Sequence, residues 1–128
     1  MAKKEAIQSE NAPAAIGPYS QAIRSGSMIF LSGQIPLVPE SMELVSHDIG
    51  EQAWQVMDNL AAVAAAAGGS LDDFVKLTIY LTDLNHFSVV NEVMESRFSA
   101  PYPARATVEV SALPRGAQVE IEAIMRCG

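Results

Sequence analysis

The amino-acid sequence predicts an α+β fold of order ββαβαββ, with two helices on one face of a partly antiparallel sheet. Two segments place apolar residues at three- and four-residue steps, and several shorter ones alternate in steps of two. Gly and Pro fall between these segments rather than within them. No internal repeat, low-complexity tract or linker interrupts the 128 residues, a length that suits a single domain over 1–128 with one core.

In chain order, a Pro-rich lead gives way to a strand over 19–24, a Ser-Gly turn at 25–27 and a strand over 28–35, which together make a hairpin. A helix begins at Asp48, whose carboxylate caps the first turn with Glu51 three residues on. It runs through Trp54, Met57, Leu60 and Val63 to a stop at Gly68. A strand over 74–81 follows, then a helix from about Leu84 with Phe87, Val90, Met94 and Phe98 on one stripe. Strands within 102–110 and over 118–125 complete the order. MIFLSGQI and LTIYL are apolar at both alternating positions, the pattern of strands buried on both faces. Two helices cover only one face, so the other calls for a partner, most simply a second copy of the chain.

Composition narrows the function classes. The chain is 49% hydrophobic and 18% charged, with a net charge of −7. That field repels phosphate backbones and anionic membranes, and beyond Lys3-Lys4 the cations form no run. No partner of either kind, nucleic acid or membrane, is expected. The single cysteine, Cys127, suits a reducing compartment. MAKKEAIQSE has no apolar leader core and residues 60–67 are too short to span a bilayer, so the expected location is cytoplasmic.

The strand YPARATVEV is where chemistry is most legible. Its even positions, Ala104, Ala106, Val108 and Val110, are small or apolar, while Arg105, Thr107 and Glu109 occupy the odd ones, which predicts a core face and a polar face. In the last strand Val119, Ile121, Ala123 and Met125 oppose Gln118, Glu120 and Glu122. One register of a direct antiparallel pairing would set Thr107 opposite Glu120 and Arg105 opposite Glu122. Two readings share this pattern: a cation, a hydroxyl and carboxylates gathered to hold a small anion and activate water, or a solvated sheet face with weak cross-strand ion pairs. His47 and His86 are isolated and no Cys or carboxylate stands at ligand spacing, so no metal is expected. Neither G-x-S-x-G nor G-x-x-x-x-G-K-[ST] occurs.

Five stretches, AIGPYSQAI at 15–23, LSGQIP at 31–36, FSVVNEV at 87–93, PAR at 103–105 and LPRGAQVEIEAI at 113–124, resemble the RidA family, also known as YjgF. The resemblance spans residues 12–125. It implies a chorismate-mutase-like fold and a homotrimer whose sheets line a central barrel, with clefts between neighbouring subunits. The activity it implies is cofactor-independent hydrolysis of reactive 2-imino acids such as 2-iminobutanoate, or of their enamine tautomers such as 2-aminoacrylate, to 2-keto acids and ammonia. Arg105 matches the family arginine, a planar fork suited to a carboxylate. Glu120 matches the glutamate that relays protons through water; burial would raise its pKa and a nearby Arg105 would lower it. Tyr19, Ser32, Gly33 and Asn91 match positions around the cleft, with ordinary alternatives as an interface aromatic, a strand bulge at Gly33 and a helix-surface amide. Thr107 stands where many members carry cysteine, which leaves its backbone N–H and C=O to position the ligand. VPESMELV at 38–45 and the short connection over 98–103 depart from the family pattern in loops that border the cleft. A non-catalytic keto-acid-binding trimer is the alternative function, followed by an endoribonuclease or translation inhibitor and a chaperone-like role.

Overall fold

The computed structural model describes residues 3–127. Strands β1 (Glu5–Ile7), β2 (Ala22–Ser25), β3 (Met28–Gln34), β4 (Phe74–Leu81), β5 (Ala104–Glu109) and β6 (Val119–Arg126) form one sheet in the order β1-β2-β3-β6-β4-β5. Helices α1 (Ile49–Ala66) and α2 (Phe87–Arg97) pack on one side. Among the described residues no helix is long and apolar enough to cross a membrane.

The predicted ββαβαββ order holds, with β1 added in front. β1 has too few residues to show an alternation and is defined by its antiparallel pairing to β2. Helix α1 starts as its sequence dictates: Asp48 Oδ2 accepts from the Glu51 N–H at 2.9 Å. It ends where Gly68 takes φ +91°, a conformation costly for other residues, while the Gly69 N–H donates to Ala64 O at 2.9 Å.

One expected pairing is corrected. β5 does not lie beside β6; it pairs in parallel with β4, so Thr107 is level with Ile79 and Arg105 with Leu77. α2 provides the crossover that makes parallel neighbours of β4 and β5. β6 then enters between β3 and β4, antiparallel to both, with Glu120 level with Tyr80.

The faces follow from these registers. Leu77, Ile79, Leu81, Val119, Ile121 and Ala123 point to the helices and bury against Val56, Met57, Leu60 and Val63 of α1. The expected parity of β5 is inverted: Arg105, Thr107 and Glu109 share this helix side, and Ala104, Ala106 and Val108 lie on the open face. β5 is an edge strand, so its helix-side residues border a cleft instead of the core. Its apolar positions extend an uncovered surface on which Phe30 and Val108 are 47% and 43% exposed.

Buried amides fix the loops to this frame. Gln52 donates to Ser46 O at 2.8 Å and accepts from the Gln118 N–H at 2.9 Å, joining α1 to the start of β6. Gln21 accepts from the Ser9 N–H at 2.6 Å and donates to Pro13 O at 2.8 Å, which holds the lead segment around Tyr19.

Candidate active site

The residues singled out in the sequence gather at two places rather than one. On the helix side, Arg105 and Asn91 border a cleft of about 380 Å³ together with Tyr102, Phe98, Met94 and Leu77. The Arg105 guanidinium lies over the Phe87 ring, 5.1 Å from its centroid. Phe87 therefore serves as a platform for the cation; its place on the apolar stripe of α2 had marked it as core. Asn91 Nδ2 donates to Glu95 Oε1 at 3.3 Å. Thr107 Oγ1 is buried and makes no hydrogen bond among the described residues.

On the open face, Glu120 lies against Gly33. The β3–β6 register shifts between Leu31 and Gln34, which makes the Gly33 stretch a bulge. A Cβ at this position would run into the Glu120 carboxylate, which a glycine leaves undisturbed. Ser32 Oγ donates to Ser20 O at 2.6 Å, and the Ser32 N–H donates to Gln21 O at 2.9 Å. These bonds hold the segment carrying Tyr19 beside Gly33, where both line a second recess of about 270 Å³.

Arg105 and Glu120 thus lie on opposite faces of the sheet and do not meet within one subunit. The one ion pair among the described residues joins Arg97 to Asp58 at 2.8 Å. Arg105 is left with an aromatic face and no carboxylate, and Glu120 with no cation. Burial first, and then the negative charge of Glu122, hold the Glu120 carboxyl above the ordinary glutamate value. Without Arg105 beside it in the same chain, the expected lowering has no source. Glu122 accepts a short hydrogen bond from Tyr80 Oη, which raises the phenol's pKa.

Two tests follow from the Glu120 environment. A group whose pKa is higher folded than unfolded gives a stabilisation that is present below its unfolded value and is lost as pH rises through its folded value. In an Arg105→Ala background, which removes the cation expected near it, Glu120→Gln should therefore melt above its Glu120 counterpart at about pH 7, with the gap closing towards about pH 4. Parallel melting curves across that range would contradict the assignment. A methyl group at position 33 would run into Glu120 Oε2, so Gly33→Ala must push the carboxylate aside by roughly 1 Å. The expected result is about a hundredfold lower turnover at nearly unchanged melting temperature.

Fold and site together define a class: small α+β proteins of chorismate-mutase-like architecture, with polar residues set on both faces of one sheet. Residues 9–127 match the family described as Endoribonuclease L-PSP. The Protein DfrA of Myxococcus xanthus is 58% identical over 126 residues, covering 97% of this chain and 95% of the relative. The chloroplastic Reactive Intermediate Deaminase A of Arabidopsis thaliana is 47% identical over 122 residues, covering 95% of this chain and 65% of the relative. The crystal structure of RidA from an Antarctic Psychrobacter matches at TM-score 0.92 and 51% identity, covering 95% of this chain and 98% of that one. That of Escherichia coli TdcF with bound serine matches at TM-score 0.90 and 41% identity, covering 97% and 99%. This chain belongs to the L-PSP family, the RidA/YjgF proteins.

Proposed function

We propose that this protein hydrolyses small 2-imino acids and their enamine tautomers to 2-keto acids and ammonia, without a cofactor, in clefts that a second copy completes within a homotrimer. One observation carries the reading: Arg105 and Glu120, opposite charges without partners, lie on opposite faces of one subunit beside apolar-lined recesses. A cyclic assembly that covers the open face brings Arg105 of one copy to Glu120 of the next. A relative named as a reactive intermediate deaminase and a neighbour solved with an amino acid bound support the same substrate class.

In that cleft the Arg105 fork takes the substrate carboxylate by two parallel charge-assisted hydrogen bonds, with Phe87 holding the guanidinium plane. Glu120 accepts a proton as water oxygen bonds to the imine carbon. Passed to nitrogen, that proton completes the carbinolamine; Glu120 then carries the hydroxyl proton to the amine as the C=O bond forms, the C–N bond breaks and ammonia leaves the keto acid. Burial and Glu122 raise the pKa of its carboxyl within one copy, and Arg105 of the next copy opposes that rise in the cleft. Tyr19, Ser32, Gly33 and Asn91 orient the ligand, and the outer backbone groups of the edge strand β5 do so at Thr107. Thr107→Cys should leave the rate within a few-fold of the parent; a gain of tens of fold would assign the thiol a chemical role.

The test generates 2-aminoacrylate in situ from serine with a dehydratase and follows pyruvate in the presence of semicarbazide, which competes for the free imine. Faster pyruvate release with the protein supports the deaminase. A rate equal to buffer, together with calorimetric binding of pyruvate, selects the keto-acid-binding trimer. Action on RNA, which the family description names, finds little support in a chain of net charge −7. Three of its arginines are also engaged, with Ala67 O, Asp58 and Met42 O.

A further inference from the structure

Two residues other than glycine have left-handed backbones among the described residues, Met42 (φ 59°) and Arg115 (φ 63°). Side chains disfavour this conformation and glycine accepts it freely, so a methionine and an arginine there call for a reason. The two are joined: Arg115 Nη2 donates to Met42 O at 3.1 Å across 73 positions of sequence. Both also border the recess of about 270 Å³ that contains Gly33, against which Glu120 rests.

The supports of this pair are firm. The Met42 loop closes on itself through Met42 N–H to Val38 O at 2.7 Å and Val38 N–H to Glu43 O at 2.9 Å. Asn59 of α1 anchors the same loop by donating to Leu37 O at 3.0 Å. Arg115 sits in the turn that leads directly into β6 and Glu120. Ile16, Ile35 and Leu37 line the rest of the recess with apolar surface.

We infer that this recess is the subsite for the substrate side chain, and that the Arg115–Met42 latch holds Met42 as the wall that favours longer aliphatic side chains. The inference rests on the proposed imine chemistry: with the carboxylate on Arg105 and the imine carbon at Glu120, the remaining substituent enters the space beside Gly33. A longer aliphatic substituent reaches farther into this recess, whose lining includes Met42, than a methyl does. Glycine at either position would preserve the turn but supply neither wall nor latch.

The experiment compares kcat/KM for two imines generated by an amino-acid oxidase, those of alanine and leucine, in the parent, Met42→Gly, Arg115→Gly and the double variant. Glycine suits both backbones, so the turns survive the changes. Met42→Gly should lower the leucine-derived rate about tenfold and leave the alanine-derived rate within about twofold. Arg115→Gly should move the ratio the same way, and the double variant should be no worse than Met42→Gly. An unchanged ratio, an equal fall for both imines, or a relative gain for the longer one overturns the subsite. Calorimetric affinities for pyruvate and 4-methyl-2-oxopentanoate provide a second ratio that needs no turnover. If the parent hydrolyses neither imine, the deaminase reading fails, and the keto-acid ratio still decides for or against the Met42 wall.

Discussion

Arg105→Ala should lower kcat/KM for 2-aminoacrylate by about a thousandfold while leaving the fold intact. Two charge-assisted hydrogen bonds at roughly 2 kcal/mol each account for that loss. The protein itself has little to lose, because Arg105 makes no ion pair among the described residues and rests on an exposed edge strand. Arg105→Lys separates charge from geometry. It keeps the cation and gives up the fork and the flat contact with Phe87, so a fall of about thirtyfold is expected. Equal rates for lysine and arginine would reduce the role to a point charge, and an unaffected alanine variant would remove it from the site. Circular dichroism and melting curves of each variant provide the control.

The second large effect is a recovery. Arg105→Ala and Glu120→Ala should each be nearly inactive alone, yet regain about a quarter of parental activity when unfolded together and refolded as a mixture. If each cleft of the proposed cyclic assembly draws Arg105 from one copy and Glu120 from the next, random pairing makes about one cleft in four whole. The registers of β5 and β6 require this outcome if the two residues act together, since they leave the sheet in opposite directions. A mixture no better than its components would place both residues in one subunit's site or remove one of them from the chemistry.

The sequence was most legible where local physics acts alone. Asp48, the apolar stripe of α1 and Gly68 fix that helix within a turn, and the boundaries of β4 follow from its alternation. Pairing was not legible locally. Alternation reveals which residues of β5 share a face, but the neighbour of β5 depends on α2 crossing over to β4, a tertiary event. Polarity also misassigned the faces of β5. Arg105 and Thr107 are polar because they border a cleft on the helix side, and Ala104 and Val108 are apolar because the open face extends to them. The same limit concealed Phe87, whose spacing fits the core stripe although its ring supports a cation. Gly33 was readable as a bulge from its place in a strand, but the carboxylate it admits was not.

The position of β6 has a consequence for how the chain is made. It is the last strand in sequence and a central one in space, bonded to β3 on one side and β4 on the other. Until residues 119–126 leave the ribosome, the β1–β3 sheet and the β4–β5 pair have no common neighbour and their apolar surfaces stay open to water. Before β6 emerges the chain is therefore two unfinished halves, a state in which exposed strand edges invite chaperones or aggregation. Sheet closure waits for β6, and it brings Glu120 to Gly33 in the same event.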